Sequence, residues 1–347
     1  MSVLLDFRSD TRTAPDAAMR AAMAAAEVGD DAYGDDPCVL RLEEAGARLL
    51  GKEAALFLPS STMTNLVAVL AAAPDPGTRL LTGAHTHVAR FEDAGMRRFA
   101  RVELVPLAQR DDGAPDPDAL EAALREGARA GRPQVVSLEN TCMLHTGNAL
   151  ELAVLDRLAG LARSYGAHVH LDGARLANAA VALGLPVEKL AVPADSVTFC
   201  LAKGLGAPVG SLLGAPASFV DRARSLRLQL GGTMHQSGVL AAAALAGLEG
   251  VSRLAEDHAL AAALARGLGS VPGAEVAEPP CRTNIVTVRV RGVSGVELMG
   301  RLGERGVRVL PLDDGWVRFV VHREHRDTAV PVVVRAVSDA VRLRPGG

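Results

Sequence analysis

Amine chemistry is suggested by one of the three lysines in this sequence, Lys203, the others being Lys52 and Lys189. Lys203 follows the apolar run 196–201 and directly precedes a glycine-rich turn, GLGAPVG, so it marks the end of a predicted strand. At such an edge its amine could condense with an aldehyde. A solvated lysine that only ends a strand is an equally good interpretation, so a second residue must decide between them.

A carboxylate that precedes Lys203 by 31 positions favours covalent chemistry. Asp172 ends the alternating run HVHLD and precedes a predicted helix, so taken alone it could be an N-cap. In a parallel sheet, however, the ends of neighbouring strands share the edge where ligands of open α/β folds bind. Pyridoxal 5'-phosphate needs such a pair, a lysine for the Schiff base and a carboxylate for the ring nitrogen. We therefore predict this cofactor, held by Lys203 and Asp172.

The cofactor also needs partners for its phosphate and its ring. Ser61 and Thr62, in LPSSTMTN, would offer hydroxyls and backbone N–H groups at a helix N-terminus, although ordinary helix capping is the alternative. His87, in GAHTHVARFE, lies near the start of the next helix, where its imidazole could stack on the pyridine ring. A structural histidine is the alternative there, and His85 is a second candidate.

An arginine in the C-terminal part of the chain could bind a substrate carboxylate. Arg318, in WVRFVVH, lies on the strand face opposite its apolar neighbours, either as a bidentate carboxylate clamp or as a solvated side chain. Arg175 and Ser9 are further candidates for the same carboxylate. The four cysteines are widely separated, without a CxxC pair, and no carboxylate cluster calls for a cation, so we predict no metal site.

The elements that must position these residues follow an α/β pattern. Residues 54–214 alternate short apolar runs with amphipathic segments, which predicts a mostly parallel, doubly wound sheet covered by helices. Predicted strands include 54–58, 134–138, 168–171 and 196–201, and a helix is predicted over 151–164. Helices are also expected over 16–27 and 38–50, on either side of VGDDAYGDDP, and two long ones within 236–267.

The C-terminal part predicts a smaller α+β domain, with strands at 283–290, 307–310 and 316–321 and helices near 294–304 and 326–342. We accordingly divide the chain into an N-terminal arm and helices (1–50), a large cofactor-binding α/β domain (51–250) and a small domain (251–347).

Composition excludes several classes of protein. With 347 residues, 49% of them hydrophobic, the chain is neither disordered nor fibrous. A formal net charge of -3 gives no general attraction to nucleic acid or to an anionic membrane, which favours a small-molecule substrate. The N-terminal residues lack the features of a signal peptide, so we expect a cytoplasmic protein.

Taken in order, the motifs resemble the low-specificity L-threonine aldolases, pyridoxal phosphate enzymes of the aspartate aminotransferase fold type and of the β-eliminating lyase group. The resemblance extends from residue 6 to residue 322. The matching stretches are DFRSDTRT, VGDDAYGDDP, GKEAALFLPSSTMTN, RFEDAG, SLENT, LDGARLANAAVALG, CLAKGLGAPVGSLL, GGTMHQSGVLAAAAL, RLAEDH, TNIV and VRFVVH.

This resemblance implies a role for each candidate and a reaction for the whole. It implies that Lys203 forms the Schiff base, Asp172 partners the pyridine nitrogen and His87 stacks on the ring. It also implies a homotetramer built from dimers with shared active sites, and cleavage of a β-hydroxy-α-amino acid to glycine and an aldehyde. The remaining implied contacts are Ser61, Thr62 and His235 with the phosphate region, Ser9, Arg175 and Arg318 with the substrate carboxylate, and Tyr33 entering from a neighbouring subunit.

Several positions depart from the family pattern. Ser61 stands where the family has glycine, and Cys142 and Met143 replace a histidine and an asparagine. His235 replaces an arginine, and the position of a loop histidine corresponds to Arg129. His145 is near enough to be a substitute for the lost histidine, although no spacing argument establishes it.

Two alternatives therefore stay open. One keeps the cofactor but changes the reaction to transaldol transfer or β-elimination on a specialised amino acid. The other is a catalytically silent or nucleotide-binding α/β protein, against which the glycines around Lys203 do not form GxGxxG.

Overall fold

The computed structural model describes residues 4–73, 75–144 and 146–342. In chain order, the strands are β1 (Leu5–Asp6), β2 (Ala54–Leu58), β3 (Arg79–Gly83), β4 (Glu103–Leu107), β5 (Gln134–Glu139), β6 (His168–Gly173), β7 (Ser196–Cys200), β8 (Ser211–Ala215), β9 (Ala274–Val276), β10 (Ile285–Val290), β11 (Val307–Arg308), β12 (Leu310–Pro311) and β13 (Trp316–Val320).

The helices are α1 (Ala17–Ala24), α2 (Pro37–Leu50), α3 (Ser61–Ala72), α4 (Asp93–Gly95), α5 (Pro117–Arg129), α6 (Leu152–Ser164), α7 (Leu176–Leu183), α8 (Val187–Ala191), α9 (Ala217–Gln229), α10 (Gly238–Glu249), α11 (Leu254–Gly269), α12 (Gly295–Gly303) and α13 (Ala329–Arg342). Two π-helical segments, Val88–Glu92 and Met96–Ala100, flank α4 and make one continuous helical stretch after His87.

A seven-stranded sheet forms the centre of the large domain, in the order β2-β8-β7-β6-β5-β3-β4. Strand β8 runs antiparallel to both of its neighbours, whereas the other pairs are parallel. Strands β5 and β7 are buried along their whole length, as expected for parallel strands covered by helices on both faces. Register places Glu139 beside Asp172, and Asp172 beside Thr198, so the carboxyl ends of β5 and β6 meet at one edge.

The small domain contains an antiparallel sheet in the order β12-β13-β10-β9, with α11 and α13 packed together beside it. The N-terminal strand β1 belongs to this part of the molecule, because it pairs in parallel with β11. Phe7 packs in the same buried cluster as Phe319, so the first residues cross from the small domain toward the edge of the large sheet.

The predicted elements agree closely with this architecture, and the α/β class with a smaller α+β domain is confirmed. One prediction is wrong in detail: residues 307–310 form two short strands instead of one. The reason is that β11 pairs with β1 whereas β12 pairs with β13, so the chain changes partner at Val309. The domain boundary at residue 250 remains a proposal, since α11 contributes Leu254 to the large core and Leu260 to the small one.

Within the described residues, no single helix is long and apolar enough to cross a membrane. The segments Gly238–Glu249 and Val251–Gly269 satisfy the length and composition criteria only as a pair, bent by 58°.

Candidate active site

A small cavity lies at the carboxyl edge of the central sheet. Its position is the one where open α/β sheets bind ligands, and its walls come from α3, the segment after β3, and the ends of β5, β6 and β7. The lining residues are Ser61, His87, Glu92, Glu139, Thr141, Met143, Asp172, Ala174, Arg175 and Lys203. Five of the ten predicted site residues therefore line one cavity: Ser61, His87, Asp172, Arg175 and Lys203.

Lys203 begins the turn that follows β7. Its φ of 61° lies in the left-handed region, which a lysine rarely occupies, so the surrounding contacts must hold the turn. Its carbonyl oxygen accepts hydrogen bonds from Thr13 Oγ1 at 2.6 Å and from the Gly206 N–H at 3.0 Å. The N-terminal segment thus helps fix the backbone that directs the lysine into the cavity, a contribution that the sequence prediction did not include.

Asp172, near the end of β6, is 2% exposed and faces the same cavity. Its Oδ2 accepts a 2.9 Å hydrogen bond from Asn65 Nδ2 on α3, and its Oδ1 accepts one of 3.0 Å from the Ala174 N–H. The alternative, a carboxylate acting only as a helix cap, does not fit this arrangement, because α7 begins at Leu176 without a side-chain cap.

Ser61 is the first residue of α3, which Ser60 caps by accepting a hydrogen bond from the Met63 N–H. The Ser61 hydroxyl oxygen is buried and has no hydrogen-bond partner in the described part of the chain. A buried, unpartnered hydroxyl at a helix N-terminus beside the cavity fits a phosphate group, and with Lys203 and Asp172 the residues present fit pyridoxal phosphate. Thr62 is exposed and outside the cavity lining, so its phosphate role stays a prediction.

His87 is held from two directions. Its Nδ1 lies 2.6 Å from Glu92 Oε1, and its backbone N–H donates to Glu139 Oε2 at 2.5 Å. Burial opposes the charged imidazolium, but the hydrogen bond and the charge of Glu92 outweigh burial and raise the pKa of His87. Burial raises the pKa of Glu92 as well, although the hydrogen bond with His87 opposes this shift.

Glu139 was not among the predicted site residues. It is fully enclosed at the end of β5, where Oε1 accepts a 3.0 Å hydrogen bond from the Met143 N–H. Burial, together with the charge of Asp172, raises the pKa of Glu139 to about 7, although the two backbone hydrogen bonds oppose this shift. The available sequence signal was a glutamate directly after the apolar run 134–138, one strand away from Asp172.

His87, Glu92 and Asp172 place possible metal-ligand atoms within 4.8 Å of one another. Hydrogen bonds already use these atoms, because Glu92 contacts His87 while Asn65 Nδ2 donates to Asp172 and lies 3.3 Å from Glu92 Oε1. We therefore assign no metal here.

Arg175 lines the cavity, but two of its nitrogens are engaged by Asp10. Nε lies 2.9 Å from Asp10 Oδ2 and Nη2 lies 2.7 Å from Oδ1, in a pair that is almost completely buried. Burial opposes ionisation of the Asp10 carboxyl, but the charge and the hydrogen bonds of Arg175 outweigh burial and lower the pKa of Asp10 to about 2. Asp10, which the sequence analysis missed, therefore orients Arg175 and leaves Nη1 as the nitrogen outside this bidentate pair.

Arg318 is buried in the middle of the small sheet, which excludes the solvated edge-strand interpretation. Its Nη1 and Nη2 donate to the backbone oxygens of Met143 and Arg8, at 3.3 and 3.2 Å. Burial and the nearby Arg175 lower the pKa of Arg318 to about 10, so it stays cationic at neutral pH. Arg318 is not among the residues that line the cavity, but within the described ranges its Nε has no partner and no carboxylate forms an ion pair with it, which fits an anion-binding role.

Ser9, Tyr33 and His235 do not line the cavity of this chain. Ser9 Oγ accepts a hydrogen bond from the Thr11 N–H and precedes Asp10. Tyr33 is 85% exposed, and His235 lies on a neighbouring loop within 3.1 Å of Asp30. The roles assigned to Tyr33 and His235 remain predictions, because they depend on a second subunit. The predicted contact of Ser9 with the substrate carboxylate also remains a prediction.

Two of the positions that depart from the family pattern, Cys142 and Met143, closely follow Glu139. Met143 and Thr141 line the cavity, and the Thr141 hydroxyl is another buried group without a partner among the residues described. Cys142 Sγ points back to the Glu139 carbonyl oxygen at 3.5 Å, and burial raises the pKa of this thiol well above its usual range. Arg129 ends α5 outside the cavity lining, and His145 lies outside the described residues.

Known proteins resemble this chain over most of its length. Residues 6–291 match the β-eliminating lyase family. The low specificity L-threonine aldolase of Escherichia coli strain K12 is 40% identical over 323 residues, which cover 92% of this chain and 94% of the relative. The low-specificity L-threonine aldolase 1 of Arabidopsis thaliana is 39% identical over 327 residues, with 92% and 91% coverage.

A solved structure of Leishmania major threonine aldolase superposes with a TM-score of 0.81 at 22% identity and covers 98% of this chain and 99% of that one, which supports the fold. The fold and the family match define a pyridoxal phosphate-dependent lyase of the aspartate aminotransferase fold type. The chain belongs to the low-specificity L-threonine aldolases within the β-eliminating lyase family.

Proposed function

We propose that this protein cleaves β-hydroxy-α-amino acids of the threonine and allo-threonine type to glycine and an aldehyde. The observation that carries the proposal is the convergence of Lys203, Asp172 and the unpartnered Ser61 hydroxyl on one cavity. Arg175 lines the same cavity, and Arg318 donates to the carbonyl oxygen of the lining residue Met143, so two buried guanidinium groups are available for an amino-acid carboxylate.

Lys203 would hold the cofactor through its amine, Asp172 would pair with the ring nitrogen, His87 would cover the ring and Ser61 would bind the phosphate. When bound, pyridoxal phosphate supplies an electron sink for the charge left on Cα. The protein's own contribution is to fix these groups on rigid strand ends and helix termini, so that little reorganisation is needed during the reaction.

Arg318 and Arg175 would fix the substrate carboxylate. Asp10 already engages Nε and Nη2 of Arg175, whereas Nε of Arg318 has no partner in the described residues and its Nη atoms contact only neutral backbone oxygens, so Arg318 is the stronger candidate for a bidentate contact. Fixing the carboxylate at one end of Cα sets which bond at Cα is aligned for cleavage, and positioning of this kind is a large part of catalysis.

His87 is the candidate that accepts the proton of the substrate's β-hydroxyl. With Nδ1 bonded to Glu92, the other ring nitrogen, Nε2, is the atom left for a hydroxyl in the cavity. Glu92 would stabilise the ring when it becomes charged, in the way a carboxylate orients and supports a histidine base.

A second candidate keeps the cofactor but transfers the cleaved fragment to an acceptor aldehyde. The replacement of family residues by Cys142 and Met143 favours it, because Met143 lines the cavity and makes that wall less polar.

The test is incubation of the holoenzyme with L-threonine, L-allo-threonine and a phenylserine, followed by measurement of glycine and aldehyde. We expect equal amounts of both products without an added acceptor, and loss of both in Lys203→Ala. Glycine formed only when an acceptor aldehyde is present would favour the transfer reaction, and no glycine from any substrate would refute aldol cleavage.

The cytoplasm as compartment and a homotetramer of paired dimers are also part of this proposal. An exposed Tyr33 and a polar loop around His235 support contacts between subunits. Sedimentation equilibrium of the holoenzyme should give four times the chain mass.

A further inference from the structure

A stripe of polar side chains runs through the apolar core beneath the cavity. His168, His170 and Asp172 alternate along β6, so their side chains share one face of the sheet. On the neighbouring strand β7, Ser196 lies opposite His170 and Thr198 lies opposite Asp172. Both β7 residues are fully buried.

Hydrogen bonds join these residues into one chain that reaches Asp172. Ser196 Oγ lies 2.8 Å from both His168 Nε2 and His170 Nδ1. His170 Nε2 lies 3.1 Å from Asn65 Oδ1, which also accepts a 2.7 Å hydrogen bond from Thr198 Oγ1.

The donor and the acceptor of each hydrogen bond in this chain can be assigned by starting from the Asn65 amide. Asn65 Nδ2 lies near two carboxylates, at 2.9 Å from Asp172 Oδ2 and 3.3 Å from Glu92 Oε1, and carboxylates only accept. A flipped amide would place its oxygen against both of them. The amide oxygen therefore faces His170, whose Nε2 must carry a proton to donate to it.

The donors and acceptors at His170 and Ser196 follow from this assignment. Burial lowers the pKa of His170 to about 4, so the ring is neutral at physiological pH and Nδ1 accepts from the Ser196 hydroxyl. Ser196 Oγ in turn accepts from His168 Nε2. All donors then point toward Asp172, and hydrogen bonds aligned in this way strengthen one another in a low-dielectric interior.

We infer that Asn65 and His170 are positioning residues for the cofactor, because they hold the Asp172 carboxylate in place and stabilise its negative charge. The inference rests on pyridoxal phosphate binding at this cavity, as in the proposed function. Neither side chain lines the cavity, so His170 acts through Asn65, and Asn65 acts through the Asp172 carboxylate and, by its longer contact, through Glu92.

The experiment compares Asn65→Leu and His170→Leu with the wild-type protein. In Asn65→Leu, loss of a hydrogen bond to a charged group predicts roughly 10- to 100-fold weaker cofactor binding and lower kcat. In His170→Leu, loss of the bond to the neutral Asn65 amide predicts a smaller change in the same direction, roughly 3- to 10-fold. Cofactor affinity is read from the absorbance on adding pyridoxal phosphate to the cofactor-free protein, together with the position of the visible band. KM for L-threonine should change little, because Arg318 and Arg175 lie outside the chain of bonds.

Two further variants separate positioning from folding. His170→Gln keeps an amide donor toward Asn65 and should restore most of the affinity that His170→Leu loses. Val169→Ala removes buried methyl groups from the opposite face of β6, so it should lower the melting temperature without moving the absorption band.

Wild-type affinity and spectrum in both leucine variants would overturn the inference. If those variants do not fold, Ser196→Ala serves instead: reduced affinity supports the inference, and wild-type affinity with an unchanged band overturns it. A wild-type protein that releases no glycine would refute the proposed function alone, since the affinity and spectral comparisons do not depend on turnover.

Discussion

Acidic and basic side chains reach the region of the cavity from different parts of the chain. Glu139 and Asp172 lie at the ends of β5 and β6, and Glu92 ends the π-helical segment after His87, whereas Arg175 pairs with Asp10 of the N-terminal segment and Arg318 lies on β13 of the small domain. This separation suits a ligand that has a cationic ring nitrogen at one end and a carboxylate at the other. Removing one charged residue should therefore affect one part of the ligand more than the other.

Arg318→Ala should raise KM for L-threonine roughly 10- to 100-fold, because a buried, charge-assisted contact to the substrate carboxylate is lost. Cofactor affinity, measured by absorbance, should change little. Arg318→Lys keeps the charge but not the planar fork, so it should recover only part of the loss. Equal KM values for all three proteins would refute the carboxylate role.

Glu139→Gln should flatten the pH dependence of stability in the cofactor-free protein. The pKa of Glu139 is raised from 4.5 to about 7 in the folded state, so the folded state binds this proton more tightly than the unfolded chain does. Its stabilising effect is complete below pH 4.5 and is lost as the pH rises through about 7, a change of about 3 kcal/mol. Urea unfolding of both proteins across this range measures it, and identical slopes would contradict it.

Sequence reasoning selected residues whose type suggests chemistry, and two of these, Lys203 and Asp172, line the cavity. It missed Asp10, Asn65, Glu92 and Glu139, whose roles depend on partners far away in the chain. Asn65, for example, contacts Asp172 only because α3 packs over the sheet face that carries the polar stripe. No local pattern specifies such a contact.

At the scale of the elements, strand ends and helix termini decide what the cavity can bind. Most bounds could be predicted, because alternation and helical spacing mark the buried strands and the amphipathic helices. Residues 307–310 could not, since the division into β11 and β12 reflects pairing with β1 from the other end of the chain.

The N-terminus of α3 offers a test at this scale. Ser61→Ala removes the buried hydroxyl and should weaken cofactor binding roughly 3- to 10-fold, the usual worth of one hydrogen bond. Ser61→Gly, which restores the family residue, should bind the cofactor at least as well as Ser61→Ala. Absorbance titration measures both, and undiminished affinity in Ser61→Ala would show that the hydroxyl does not contact the phosphate.

At the scale of the whole molecule, the N-terminal segment joins the two domains at the site. Phe7 stacks on His325 with ring centroids 3.8 Å apart, and the next residues provide Asp10 for Arg175 and Thr13 for the Lys203 turn. Stability of the small domain and geometry of the cavity are therefore linked.

Phe7→Ala should lower the free energy of unfolding by about 3–5 kcal/mol, because it empties a buried aromatic site. It should also lower kcat, because Asp10 and Thr13 lose their anchor. Leu4→Ala is the matched control, since Leu4 is 53% exposed and should change neither quantity. Urea unfolding and steady-state kinetics measure the two effects. An unaffected kcat in folded Phe7→Ala would contradict the idea that the N-terminal segment supports the geometry of the active site.

The most direct test of the account is to find which lysine carries the cofactor. Borohydride reduction of the holoenzyme, followed by peptide mass mapping, should place a phosphopyridoxyl group on Lys203. The same treatment of Lys203→Ala should give no adduct. An adduct on Lys52 or Lys189 in the wild-type protein would contradict the assignment of this cavity as the active site.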